Sequence, residues 1–304
     1  MSGLRLPLDL PPGEGLRQAY QLQLASAMKD LAAGVPHGVH DVRKRVKKAR
    51  ALAFAARDAR PAAASDEDTE LKIANRSLGS LSDAHRLELT VEKLRGFDPP
   101  LLPDDVVEQL RAALRRRLAA FDDIALRDGT YDRAALLVRS AKDRAAEWRV
   151  EAVDAVSVGE AIHDAHQMAA HLRGEIRKRP TVEGYHRWRR RVKLEWYLFR
   201  IVSKVTGDRL ADDRHRLAAL DACLGELHDL HVLAAALSTE SLLSRGAAAH
   251  AVRVVRARAG DLRRHADRLS AVLKDSPRQV ADRLDALWGM DTRRAEQTKW
   301  PAIA

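Results

Sequence analysis

A basic octet, His40-Asp41-Val42-Arg43-Lys44-Arg45-Val46-Lys47, returns 146 positions later as His186-Arg187-Trp188-Arg189-Arg190-Arg191-Val192-Lys193. Extended to Leu52 and Leu198, six of 13 aligned positions are identical. A second pair of segments keeps the same register. Leu78-Gly79-Ser80-Leu81-Ser82-Asp83-Ala84-His85 aligns with Leu224-Gly225-Glu226-Leu227-His228-Asp229-Leu230-His231, with five of eight identical. Gly13-Glu14 with Gly159-Glu160, Ala19 with Ala165, and Gln21 with Gln167 add a third match without a gap. A chain that repeats itself folds as two related units stacked on each other. The sequence therefore divides into an N-terminal segment 1–12, a first half 13–157, a second half 158–291 and a tail 292–304. The two halves are expected to form one domain.

Each half reads as helices. Hydrophobic residues make up 46% of the 304 residues, enough for a core, while aromatics are only 4%. Strands favour β-branched and aromatic residues, so a chain rich in Ala, Leu and Arg favours helix. The spacing predicts helices over 14–33, 37–59, 67–95, 104–127 and 130–157, then 159–178, 182–205, 209–238, 246–274 and 277–289. Pro36 and Gly38 precede the first basic helix, and Pro180 precedes the second. The run from Phe97 to Pro103 interrupts the chain, because proline fixes φ and lacks an amide donor. The expected class is all-α, two pseudo-symmetric helical-bundle halves.

The formal net charge is +10, from 53 Lys and Arg against 43 Asp and Glu. That balance points to a polyanion: nucleic acid, an anionic membrane surface or inorganic polyphosphate. On a helical wheel His40, Arg43, Lys44, Lys47 and Arg50 share one side, opposite Val42, Val46, Ala49 and Ala53. In the second copy His186, Arg189, Arg190 and Lys193 share a face, opposite Trp188, Val192 and Phe199. Like charges on one face destabilise a helix unless an anion relieves them. Arginine offers phosphate a planar fork, and lysine a mobile point charge. His40 and His186 sit one turn ahead and are candidate donors to phosphate. Arg111, Arg115 and Arg116, and Arg263 and Arg264, are secondary phosphate-binding candidates. Acids such as Asp122, Asp123 and Asp261 lie close to them.

Leu78, Leu81, Leu224 and Leu227 have the spacing of a buried stripe. Gly79 and Gly225 cost about 1 kcal/mol each inside a helix, which predicts close helix packing there. Asp83 and Asp229 are expected to anchor basic side chains rather than to catalyse. The single cysteine, Cys223, excludes an internal disulfide, is expected to be buried, and fits a reducing cytoplasm. No apolar run reaches the roughly 20 residues that span a bilayer, and Met1 to Gly15 lacks a signal-peptide core. The sequence has no P-loop and no Gly-x-Ser-x-Gly elbow. Glu160-x-x-His163 is half of a di-iron motif without its second half, and the His228/His231 spacing alone makes no metal site. No catalytic residue, metal or cofactor is expected.

These segments together resemble the CHAD family, the conserved histidine α-helical domain. The resemblance rests on His-x-x-Arg-x-x-x-Lys-Lys-x-Arg at His40, Arg43, Lys47, Lys48 and Arg50. It rests also on the shorter copy at His186, Arg189 and Lys193, and on both Leu-Gly-x-Leu-x-Asp segments. It covers roughly residues 13–290. It implies two helical bundles around a basic groove or pore, non-catalytic binding of inorganic polyphosphate, and association with polyphosphate granules in the cytoplasm. Leu194 and Trp196 stand where Lys48 and Arg50 would recur, so the second copy departs from the motif. No Glu-x-Glu-x-Lys strand motif of a companion CYTH domain is present, which marks a stand-alone module. A nucleic-acid-binding protein and a phasin-like granule-surface protein are the alternatives.

Overall fold

A computed structural model describes residues 4–32, 38–59, 64–97, 101–239 and 242–273. Among the described residues there are ten α-helices and no strand. In chain order they are α1 (Pro12–Ala32), α2 (Gly38–Ala55), α3 (Ala64–Ser77), α4 (Gly79–Arg95), α5 (Asp104–Arg127), α6 (Thr130–Arg144), α7 (Ala155–Lys178), α8 (Val182–Ile201), α9 (Ala211–Thr239) and α10 (Arg245–Leu269). The helix expected over 277–289 and the tail 292–304 lie outside the described residues.

Local chemistry sets several boundaries. Asp154, Thr181 and Ser244 cap α7, α8 and α10 by accepting from the amides of Ser157, Gly184 and Ala247. Pro103 precedes α5, and Asp104 and Asp105 place negative charge at its positive end. Gly129, at φ 64°, turns the chain from α5 into α6 in a conformation that other residues rarely adopt.

Two expected helices are broken. The span 67–95 is α3 and α4, separated at Leu78 (φ −83°, ψ 6°). Ser77 turns its hydroxyl back to the Ala74 carbonyl (2.9 Å), and Gly79 follows, so two weak helix formers flank the break. The aligned Leu224-Gly225 runs unbroken inside α9. The span 130–157 ends at Arg144, and two 3₁₀ turns carry the chain to Ala152. Tertiary contacts explain this break. Trp148 is buried against Tyr20, ring centroids 4.7 Å apart, and the Arg149 amide donates to the Ala59 carbonyl (2.8 Å).

In the first half α1 packs on α2 and α6, α3 on α6, and α4 on α5. In the second, α7 packs on α8, α8 on α9, and α9 on α10. The halves meet where α2 crosses α8 and α7, and where α4 lies on α9. The apolar faces read from the sequence are the buried ones: Val42, Val46, Ala49 and Ala53 on α2, and Trp188, Val192 and Phe199 on α8. Leu78, Leu81, Leu224 and Leu227 are buried as well. Burying a large apolar side chain contributes about 2 kcal/mol, so these stripes fix which way each basic helix turns its charge. The α2 and α8 apolar faces go into their own halves, and part of each basic face is directed at the seam.

Candidate functional site

The seam collects cations from three helices. Lys47 of α2 is partly buried, and burial together with the charges of Arg43, Arg189, Lys193 and Arg86 pulls its pKa from 10.5 to about 7. Among the described residues Lys47 has no carboxylate partner. Arg43 Nη1 donates to Asp83 (3.1 Å) and to the Gly79 carbonyl (3.0 Å), while its Nε–H is buried without an acceptor. Arg189 is only 8% exposed, and its Nε–H is likewise buried without an acceptor. Buried donors in native proteins almost always have acceptors, so these two guanidinium N–H groups beside the Lys47 amine leave donor capacity that the described residues do not use.

Acids partly neutralise the rest. Lys193 Nζ donates to Asp221 (2.7 Å), which is itself 8% exposed. Arg86 of α4 donates to Asp229 of α9, tying the two halves together. Burial pushes the Asp229 carboxyl up, against the pull of Arg86. A cleft of about 300 Å³ opens beside these groups, lined by His40, Arg86, Lys93, Arg189, Lys193 and Asp229 among others.

Burial disfavours the charged form of the three histidines at the seam, His40, His186 and His228. His186 Nδ1 lies 3.1 Å from His228 Nδ1, with ring centroids 4.6 Å apart. Burial, then Arg189, His186, Arg86 and Lys47, drive the His228 pKa to about 2. Burial also lowers His40 and His186, with Arg86 and Lys44 adding to the effect at His40 and Arg190 at His186. Two neutral imidazoles at this distance share one proton, one ring donating to the other's lone pair.

The structure splits the cations that the helical wheel put on one face. His40, Arg43 and Lys47 of α2 join His186, Arg189 and Lys193 of α8. Arg50 instead donates to Asp68 of α3 (2.6 Å). Lys44 stays exposed, 3.9 Å from Asp41. Lys48 is half-buried, and burial followed by the like charge of Arg200 lowers its pKa. Arg190 is exposed near Glu183, at 3.6 Å. The secondary candidates lie on other surfaces. Arg111 and Arg115 pair with Glu92 (2.9 Å) and Glu88 (2.8 Å) of α4, Arg116 is exposed, and Arg264 pairs with Asp261. Arg263 covers the Tyr185 ring and donates to His231 (3.0 Å).

The two glycines differ. A Cβ at Gly225 would sit 3.5 Å from the Arg189 guanidinium, so the close packing expected there is with a side chain. At Gly79 a Cβ would meet nothing within 4 Å, which overturns the close-packing expectation. Its contribution is the carbonyl that receives Arg43. Asp83 and Asp229 do anchor arginines, but Asp229 holds Arg86 of the other half rather than Arg189. Cys223 is buried, its thiol pushed up to about 11, with Sγ 3.4 Å from the Leu262 carbonyl.

Sequence reasoning missed Arg86. Its aligned partner is Val232, so the repeat concealed it. The available signal was its place three residues after Asp83, on the turn that carries the repeated Asp and His. His228 was read only for metal spacing and proves to be the partner of His186.

The CHAD domain model matches residues 16–238 of this chain. No curated protein matches it. Among solved structures, the CHAD domain of the plant Ricinus communis superposes with a TM-score of 0.68 at 18% identity, over 88% of this chain and 93% of that one. At that identity the likeness speaks for the fold. No helix among the described residues is long and apolar enough to cross a membrane. The family match spans most of the chain, including both basic helices and both Leu-Gly-x-Leu-x-Asp segments, and the chain belongs to the CHAD family.

Proposed function

We propose that the protein binds inorganic polyphosphate, without turning it over, at the seam where α2, α4 and α8 converge. Lys47 carries the reading: an amine whose charged form lies among four other cations and, among the described residues, has no carboxylate of its own. Such a group is disfavoured in the free protein and relieved by an anion with closely spaced charges. Arg43, Arg86, Arg189 and Lys193 surround it, and His40 and His186 supply neutral donors at the rim. A polyphosphate chain fits this arrangement because it offers bidentate acceptors to arginine and needs no base recognition. The chain continues over the outer cations Lys48, Lys44, Arg50 and Arg190, the last three needing release only from exposed or half-buried carboxylates. We propose further that the halves 13–157 and 158–291 are related by an internal two-fold, and that their seam is a basic groove. In the cell this binding directs the protein to cytoplasmic polyphosphate granules.

The test is a competition. Labelled long-chain polyphosphate is bound to the purified protein and challenged with duplex DNA of equal charge concentration, with and without Mg²⁺. Polyphosphate should stay bound and keep its length. Displacement by DNA would transfer the site to nucleic acid. Orthophosphate release proportional to protein would make the chain an enzyme.

A further inference from the structure

The second half contains a pocket of about 260 Å³ on the far side of α8 from the seam cations. Its walls include Arg173 and Arg177 of α7, Tyr185 and Trp188 of α8, and Arg263 and Asp267 of α10. Three guanidiniums face one carboxylate, an excess of two positive charges. Existing contacts use only part of that donor capacity. Arg173 Nε donates to Ser270 (2.6 Å), and Arg177 reaches Asp267 only at 3.9 Å. Arg263 spends a terminal nitrogen on His231 and lies over the Tyr185 ring, but its Nε–H is buried without an acceptor. Trp188, 2% exposed, has its indole N–H buried without an acceptor as well.

The aligned positions of the first half contain no such site. Ala27, Leu31, Val39 and Val42 stand where Arg173, Arg177, Tyr185 and Trp188 stand. Ala27, Val39 and Val42 are solid core there. Where the first half has core valine, the second buries the Trp188 indole N–H without an acceptor, a cost that packing alone does not favour.

The geometry points to a second anion site in this pocket, taking a compact phosphate-class dianion of orthophosphate or pyrophosphate size. A dianion balances the two excess charges, and its oxygens give acceptors to the Arg263 Nε–H and the Trp188 N–H. The space is below the ~300–1,000 Å³ of drug-sized ligand pockets, so it admits a small anion rather than a folded organic ligand. The inference stands apart from the polyphosphate reading of the seam. The dianion has two sources, a free anion or the terminal group of a polyphosphate chain.

Calorimetric titration with pyrophosphate tests it, on wild type, Arg173→Gln/Arg177→Gln, Trp188→Phe and, as the seam control, Lys47→Glu. Arg173 and Arg177 are at least partly exposed, so the double variant keeps its fold, checked by circular dichroism. Pyrophosphate affinity should fall at least about tenfold in the double variant, fall less in Trp188→Phe, and persist in Lys47→Glu. Chains with blocked ends identify the source. Blocked chains that bind wild type more weakly than unblocked ones, but bind the double variant equally, assign chain ends to the pocket; equal binding throughout assigns the free anion. Pyrophosphate that fails to bind wild type, or that binds the double variant unchanged, overturns the pocket. Pyrophosphate lost only in Lys47→Glu overturns it too and gives the anion to the seam. Long-chain binding by Lys47→Glu is scored separately and judges the seam alone.

Discussion

α2 and α8 carry matched lysines, Lys47 and Lys193, and the structure treats them in opposite ways. Lys193 is bound to Asp221 and lies near two rings, 5.3 Å from the Trp196 centroid and 5.5 Å from that of Tyr197. Among the described residues Lys47 has no carboxylate partner and no such ring beside it. The residues at aligned positions explain this: Asp221 aligns with Asn75, and Trp196 with Arg50. One copy of the motif has its counterion built into the fold, while the other has none among the described residues. A duplicated motif therefore need not be a duplicated function, because neutralisation is decided by the helices packed around it.

The comparison breaks most sharply under charge reversal. Arg43→Glu with Lys47→Glu should weaken long-chain polyphosphate binding by about a hundredfold and flatten its salt dependence, since contacts to one chain reinforce each other. Equilibrium binding across a salt series measures both. Wild-type affinity in a normally helical double variant would remove α2 from the site.

Neutral substitutions sharpen the contrast. Lys193→Met leaves the buried Asp221 carboxylate unpaired and should cost about 3 kcal/mol of stability in denaturant unfolding. Lys47→Met removes a charge the fold does not compensate, so stability should be unchanged or higher, while polyphosphate affinity drops about tenfold. Equal stability losses for the two would show that Lys47 has a hidden counterion.

Much of this contrast was not readable in the chain. The interval 104–127 was legible to the residue, because Pro103, Asp104 and Gly129 mark its ends locally. The buried stripes of α2 and α8 were legible for the same reason: a 3.6-residue period reports which face goes inward. What a wheel cannot report is the neighbour on the other side. Arg50 and Lys47 look equivalent on α2, yet Asp68 of α3 claims one and no described carboxylate claims the other. Arg86 was hidden because repeat logic finds only what occurs twice. The kink at Leu78 was hidden because the aligned leucine sits in unbroken helix. These outcomes depend on tertiary contacts, which periodicity does not encode.

Protonation gives a smaller, continuous readout. Lys47 has a folded pKa of about 7 against an ordinary 10.5. Between those values the unfolded chain holds a proton that the folded chain lacks, so stability should rise with pH across that window. A bound polyanion restores the ammonium. Binding at pH 8 should therefore take up close to one proton, and affinity should decline as pH rises from 7 toward 10. Titration in buffers of different ionisation enthalpy counts that proton. Lys47→Met should abolish the uptake, and Lys193→Met should leave most of it.

The smallest effect is expected on α5. Arg115 is exposed and held by Glu88 at 2.8 Å, and Arg116 is exposed on the same helix. Both lie on a helix that packs on α4 and α6, not on the α2 and α8 seam. Exposed ion pairs contribute about 0–1 kcal/mol, and a charge more than a Debye length of roughly 8–10 Å away is largely screened at physiological salt. Arg115→Glu with Arg116→Glu should therefore change polyphosphate affinity by no more than about twofold at physiological salt. The change should grow modestly at low salt, where the overall positive field steers the chain inward. If this pair matters as much as Arg43 and Lys47, binding follows net charge instead of the seam, and the difference between α2 and α8 has no bearing on where the polyanion sits.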